Sequence, residues 1–541
     1  MRFKMASVFL WGIFIVISMQ SAGAVWQWSV PVKQFISPET NDHPTAFLWI
    51  PEDCHQVKAV VVGQHNMCEE PIFDHLVFRK KMAELGFAII WITPGIDQQW
   101  DVNSGCQQAF DSMMDHLGKV SGYSELKYAP VVPLGHSAMA TFPWNFAAWN
   151  PDRTLAIISY KGDAPRTNLT GYGRENLEWG RNRNIDGIPG LMIEGEYEWW
   201  EARVNPALAF RMMYPESCIS FLCDAGHGHF DVSDKIVDYL CLFLKKAAQN
   251  RLTEAQPLDT FVKLKKLDPK NGWLAERWHP KQKKRAKTAP FANYKGDPHD
   301  AFWYFDKEMA DETEAYYARE RGKKEQYIGF LQNGSLLPFN ENLHARTAGY
   351  FEPGADGLTF RIKADFTDTL RSCLSSEHDA GLPVISRICG PVKKVNDSTF
   401  TVRFYRMGLN NPRRTGDIWL LAHHPGDKTY KSSVQQFNLR IPFKLEEGAE
   451  QTITFSPIPN QLEGVKELSL MASSSSGLPV YFYIKEGPAE IENGRLVFHK
   501  IPPRTKFPVR VTVVAWQYGL SGENKIQSAK PVEQILFIQQ N

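Results

Sequence analysis

The sequence predicts an α/β domain followed by all-β units, on three observations. From Ala46 to about Ala248, short runs rich in Val and Ile alternate with helix-like stretches. Beyond residue 321 the pattern changes to short β-type runs separated by turn residues. The length of 541 residues exceeds what one hydrophobic core usually supports, so the two patterns are expected in separate units.

The elements follow in chain order. Arg2 and Lys4 precede an apolar run that closes on Ala22-Gly23-Ala24, the small-x-small pattern a signal peptidase cuts. Residues 1–24 are expected to be a signal peptide and the mature chain to begin near Val25, in the periplasm or outside the cell. The apolar stretch from Ala6 to Ser18 is too short to span a bilayer comfortably, and no Cys follows the cut for lipid attachment. The runs TAFLWI, KAVVVG, FAIIWIT, APVVPLG, LAIISY, GLMIEG and CISFLC then read as strands without polar alternation. The stretches 71–85 and 107–120 between them read as helices. Strands of that kind, separated by helices, argue a mostly parallel sheet covered on both faces.

Residues 165–188 interrupt the alternation with polar, Gly- and Arg-bearing sequence, expected as a lid or as an ordinary surface excursion. Residues 249–300, with Lys281, Lys283, Lys284, Arg285 and Lys287, read as a solvated linker rather than a nucleic-acid patch. Residues 301–456 open with a helical stretch headed by Phe302, Trp303, Tyr304 and Phe305 and continue as β-type runs. From 457 to 541, Ser476-Gly477-Leu478-Pro479-Val480, Gly487-Pro488-Ala489, Gln517-Tyr518-Gly519 and Ala529-Lys530-Pro531-Val532 resemble a bacterial immunoglobulin-like repeat. That resemblance implies a small closing sandwich.

The 61 Lys and Arg balance 60 Asp and Glu, so no global field draws the chain to nucleic acid or an anionic membrane. Eight cysteines in an exported chain permit disulfides, with Cys373–Cys389 and Cys68–Cys106 the candidate pairs and Cys241 a buried thiol. None has zinc-type spacing, so neither a metal nor another cofactor is implied.

The chemistry centres on Gly135-His136-Ser137-Ala138-Met139, between the apolar run ending at Leu134 and the helical TFPWNFAAW. A serine at a sharp strand-to-helix turn holds its hydroxyl above the sheet, with small neighbours that let the backbone turn. The motif resembles the nucleophile elbow of α/β-hydrolases, with Met139 where that family has Gly. The family's chain order implies an acid and a base after later strands. Glu194-Gly195-Glu196-Tyr197-Glu198 places Glu198 at the acid position, with Glu194 and Glu196 as neighbours that could serve structure or substrate. Asp224-Ala225-Gly226-His227-Gly228-His229-Phe230 resembles the histidine loop. His227 is favoured as base on its distance from the preceding strand, with His229 the alternative.

The same resemblance implies an oxyanion hole from the backbone N–H groups of Ala138 and Met67. Met67 follows Gly63-Gln64-His65-Asn66, in which Asn66 replaces a family glycine and His65 suits loop architecture. Residues 25–248 would then be the catalytic domain. Trp144 and Trp149 after the serine, and Trp199 and Trp200 after the acid, suggest sugar stacking. The whole arrangement resembles exported carbohydrate esterases, implying an ester-bearing plant glycan as substrate. The rival expectations are an exported serine peptidase of the prolyl-oligopeptidase type, whose β-domain precedes the hydrolase, and a non-catalytic glycan binder on a hydrolase scaffold.

Overall fold

The Val- and Ile-rich runs become one eight-stranded sheet in the computed structural model, which describes residues 25–166, 177–198, 201–254, 256–279, 285–407 and 411–541. The expected signal peptide, part of the expected lid, Lys281, Lys283, Lys284, Trp199 and Trp200 lie outside the described residues. The strands are β1 (Trp28–Pro31), β2 (Thr45–Trp49), β3 (Ala59–Gln64), β4 (Phe87–Thr93), β5 (Val131–His136), β6 (Ile157–Tyr160), β7 (Pro189–Gly195) and β8 (Cys218–Asp224). Their order is β1-β2-β4-β3-β5-β6-β7-β8. Strand β2 runs antiparallel to both neighbours, and β4 through β8 are mutually parallel.

Every residue of β3 through β8 is buried, which is why these strands carry no polar alternation. Two apolar cores sit on opposite faces. One packs under α1 (Glu69–Asp74), α2 (Leu76–Leu85) and α6 (Asp234–Arg251), the other under α3 (Cys106–Ser121). Helix α3 is bounded by Gly105 and Gly122, both at positive φ. Helix α6 starts at Ser233, whose hydroxyl accepts from the Ile236 N–H. Two further helices, α4 (Phe142–Trp149) and α5 (Glu201–Met213), follow β5 and β7.

The expected linker is part of the first core. Strands β9 (Trp273–Glu276), β10 (Ala289–Pro290) and β11 (Ala301–Tyr304) form a small sheet, and with helix α7 (Lys307–Ala318) they seal the β8 edge. Ser220 Oγ donates to the Trp303 carbonyl at 2.6 Å and Tyr304 OH to the Phe221 carbonyl at 2.6 Å. Leu274 and Trp278 are buried among Lys and Pro neighbours whose composition reads as solvated chain.

Residues 327–441 form antiparallel sheets around Phe330, Phe360, Phe400 and Phe437. This core also takes Tyr483, Trp516 and Tyr518, so it crosses the expected boundary at 456. The last unit is a two-sheet sandwich of four and three strands around Leu496, Val511, Val513 and Leu536. It docks on the base of the α/β unit, where Arg504 Nη1 meets Glu125 Oε1 at 2.7 Å.

All eight cysteines are free. The candidate pair Cys68–Cys106 is split between the two cores on opposite faces of the sheet, which forbids a bridge. The pair Cys373–Cys389 is also unformed, and Cys241 is a buried thiol as expected. Among the described residues no helix is long and apolar enough to cross a membrane.

Candidate active site

Strand β5 runs straight into a 3₁₀ turn, Ser137–Met139, and then α4. Ser137 sits at φ +54°, a left-handed conformation that a non-glycine residue adopts only where the surroundings hold it. Gly135 makes the turn possible, because a Cβ there would lie 1.9 Å from the Met139 carbonyl oxygen. Met139 is accommodated because its side chain lies over Gly95, where a Cβ would sit 2.4 Å from Met139 Cε. The missing family glycine is thus matched by a glycine on the loop after β4.

Ser137 Oγ lies 2.7 Å from His229 Nε2, and His229 Nδ1 lies 3.1 Å from Glu198 Oε2. Glu198 closes the 3₁₀ turn after β7, and His229 lies in the loop after β8. The two turns touch back to back, since the Tyr197 N–H donates to the His227 carbonyl at 3.0 Å and a Cβ on Gly195 would strike the Gly228 carbonyl.

The favoured histidine is therefore corrected. His227 turns away from Ser137 and holds Asp231 Oδ2 at 3.0 Å through Nδ1. Asp231 also takes Lys161 Nζ at 2.5 Å, and Lys161 bridges to Asp224 at 2.8 Å and to the Gly228 carbonyl at 2.5 Å. This buried network fixes the loop so that the next outward position belongs to His229. Counting residues from the strand end favoured His227 because Lys161, which ties Asp224 and Asp231 into the network that holds its ring, lies far from the loop in the sequence.

Burial, reinforced by His136, holds His229 well below its ordinary value, so the ring is neutral at neutral pH and Nε2 can accept the Oγ proton. Burial pushes the Glu198 carboxyl up to about 7, against the charges of Arg346 and Arg203. His227 is raised despite its burial, by the charges of Asp224 and Asp231.

The other sequence candidates separate cleanly. Glu196 is structural, since its carboxylate accepts from the Gly226 N–H at 2.8 Å and from Lys431 Nζ at 2.7 Å. Glu194 lies beside Arg203. His65 bonds Thr93 Oγ1 at 2.8 Å and packs on Trp91, serving loop architecture. Trp144 is fully buried under Gly190 and offers no face to a sugar, while Trp149 is half-buried beneath Arg183. In the expected lid, Trp179 is buried and donates to Asn145 Oδ1 at 2.7 Å, which ties that segment to the core.

The β-region covers the site. His344 stacks 4.8 Å from the Phe230 ring and 6.4 Å from His229, and Trp419 lies 5.0 Å from Phe230. A small apolar cluster of Phe230, Ile388, Leu421 and Val434 gathers Met67, Tyr197 and Trp419 around it. Residues next to the base and the acid thus share one cluster with the expected oxyanion donor.

Met67 also lines a cavity of about 140 Å³ with Cys389, Met407, Arg414 and Trp419. The carboxylates Asp224 and Asp231 with His227 are close enough to hold an ion, but Lys161 Nζ already fills the space between them. Glu276, His279 and Asp300 form a second cluster, on which Arg277 Nε donates to Asp300 at 2.7 Å.

The sheet order and the strained serine turn fit the α/β-hydrolase pattern that the sequence resembles. No protein-family model and no curated protein matches the sequence. Among solved structures, the chain is similar to the fluorophosphonate-binding serine hydrolase F of Staphylococcus aureus, at 13% identity over 41% of this chain and 96% of that one, with a TM-score of 0.28. It is also similar to Est1E from Butyrivibrio proteoclasticus, at 14% identity over 38% and 95%, with a TM-score of 0.27. An S-formylglutathione hydrolase from Agrobacterium tumefaciens matches at 14% identity over 41% and 94%, with a TM-score of 0.28. What the site can do chemically follows from its own geometry.

Proposed function

We propose that this chain is a serine carboxylic-ester hydrolase. The observation that carries the reading is the relay of Ser137 Oγ to His229 Nε2 at 2.7 Å and of His229 Nδ1 to Glu198 at 3.1 Å. His229 takes the Oγ proton as the oxygen attacks the ester carbonyl, and Glu198 orients the ring and stabilises its charged form. The negative charge on the tetrahedral oxygen falls to the N–H groups of Ala138 and Met67. Collapse expels the alcohol, which receives the proton from His229. Water, deprotonated by the same ring, then releases the acid and restores Ser137.

The finer reading is an exported carbohydrate esterase that removes acetyl or methyl ester groups from a plant polysaccharide. The N-terminal sequence supports export, and the trailing β-units, the last resembling an immunoglobulin-like module, support an extracellular glycan partner.

The test is hydrolysis of short-chain aryl esters and of acetylated and methyl-esterified pectin and xylan, with Ser137→Ala as control. Turnover that disappears in the variant supports the serine esterase, and the polymer that responds names the ester. Failure on every ester overturns the reading and moves peptide substrates ahead of it.

A further inference from the structure

The expected oxyanion donor Met67 belongs to the peptide that joins it to Asn66, and the other end of that peptide is held from the β-region. Arg414 Nη1 donates to the Asn66 carbonyl at 3.1 Å. The guanidinium is itself clamped by Glu39, which accepts from Nε at 2.9 Å and from Nη2 at 3.0 Å. Glu39 in turn accepts from Asn411 Nδ2 at 3.0 Å. Burial alone would raise the Glu39 carboxyl, but the hydrogen bond and charge of Arg414 keep it below its ordinary value.

Asn66 is fixed at its other polar atoms as well. Its N–H donates to Glu69 Oε2 at 3.0 Å, and its Nδ2 donates to the His136 carbonyl at 2.9 Å, one residue before the nucleophile. Glu69 completes the brace by accepting the His136 N–H at 2.7 Å. Among the described residues no acceptor takes the Met67 N–H, and Met67 lines the cavity beneath Trp419.

We propose that Arg414, supplied by the β-region, is a positioning residue for the oxyanion hole. The proposal rests on the serine-esterase reading of Ser137. A cation on the carbonyl oxygen of a peptide does two things to the N–H at its other end. The charge-assisted bond holds the peptide plane in one orientation, and it withdraws electron density so that the N–H presents more positive charge. Both effects act where the tetrahedral oxygen gathers its charge, and a preorganised donor is worth more there than one that must reorient. A clamped guanidinium suits the task because its planar fork engages the Glu39 carboxylate on one edge and the Asn66 carbonyl with its remaining nitrogen. The β-region then completes the catalytic machinery as well as covering it.

The test compares wild type with Arg414→Ala, Arg414→Lys and Glu39→Gln in the full chain, on a short aryl ester. Binding of an alkyl boronic acid, which mimics the tetrahedral adduct on Ser137, is measured alongside. The expected result for Arg414→Ala is a fall in kcat of about tenfold or more, bounded by the 10²–10³ that loss of a whole donor costs. KM stays nearly unchanged, and boronate affinity drops with kcat. Arg414→Lys keeps a cation but not the fork and falls between, and Glu39→Gln shifts kcat in the same direction.

A folded Arg414→Ala that keeps wild-type kcat and boronate affinity overturns the proposal. If that variant fails to fold, Arg414→Lys decides, and unchanged kcat and boronate affinity in it overturn the proposal equally. Absence of Ser137-dependent turnover in the wild type strikes the esterase reading itself, a different outcome from turnover that ignores residue 414.

Discussion

Replacing each histidine of the A-G-H-G-H-F loop in turn separates catalysis from scaffolding. His229 lies 2.7 Å from Ser137 Oγ, so His229→Ala removes the only described base within reach of the nucleophile. Loss of the base in a serine hydrolase lowers kcat on the order of 10⁶-fold, about 8 kcal/mol of transition-state stabilisation. His227→Ala acts elsewhere. It removes one charge-assisted bond to Asp231, at 3.0 Å, while Lys161 still neutralises that carboxylate. Such a bond is worth about 1.5–3 kcal/mol, and on a unit of this size that is a fall in Tm of roughly 3–12 °C.

The cost of His227→Ala also carries a sign in pH. The neighbouring Asp224 and Asp231 raise His227 above its ordinary 6.5, so its contribution is fully present below that value. It is lost as the pH rises through the folded value. The stability gap to wild type is therefore larger at pH 5.5 than at pH 9. Aryl-ester kinetics and calorimetry on both variants read these effects. A folded His227→Ala as inactive as His229→Ala, or a His229→Ala that keeps more than a small fraction of turnover, refutes the assignment.

Two further outcomes follow from the same site. Glu198 is half-buried and shifted from 4.5 to about 7, so between those values the folded chain keeps a proton that the unfolded chain has released. Wild type should therefore lose about 3 kcal/mol of stability relative to Glu198→Gln as pH rises through that window, read by urea unfolding at both ends. The same variant should lose about 10⁴ in kcat, and wild-type kcat/KM should fall as the pH drops below about 7. A stability gap that does not change with pH counts against the shifted carboxyl. Gly135→Ala drives a Cβ into the Met139 carbonyl at 1.9 Å, backbone that cannot yield, so turnover should vanish with a stability loss of about 3 kcal/mol or more. Met139→Gly, which only empties the space over Gly95, should keep most of its turnover, and chemical denaturation with ester assays tests the pair.

How far the sequence could be read depended on the range of the interaction. Strands β3 through β8 announce themselves because both their faces are buried, and the elbow is local, so Ser137 and its turn follow from five consecutive residues. Glu198 was legible from chain order, since Ser137, Glu198 and His229 follow the ends of β5, β7 and β8 in that order. The choice between His227 and His229 was not, because Lys161, which holds the same Asp231 carboxylate as His227, lies 70 positions from it. Arg414 was invisible for the same reason, being 348 positions from Asn66. Residues 249–300 were misjudged on composition, where Lys and Pro outvoted the buried Leu274 and Trp278.

The β-region's hold on the site has a consistent physical form. Met67, Tyr197 and Phe230 lie on the loops of the proposed oxyanion donor, acid and base, and all three belong to one cluster with Ile388, Leu421 and Val434. Around it, Arg387 and Arg406 reach Glu70 at 3.3 and 2.8 Å, and Lys431 reaches Glu196 at 2.7 Å. Buried pairs of this kind roughly break even against the cost of desolvating them, so they add little to the docking energy. The apolar cluster supplies the attraction, and the charges select one register among those it would tolerate. In the observed register the Arg414 guanidinium meets the Asn66 carbonyl. On the proposed role of Arg414, docking of the β-unit would fix the direction of the Met67 N–H and become a condition for stabilising negative charge at Ser137.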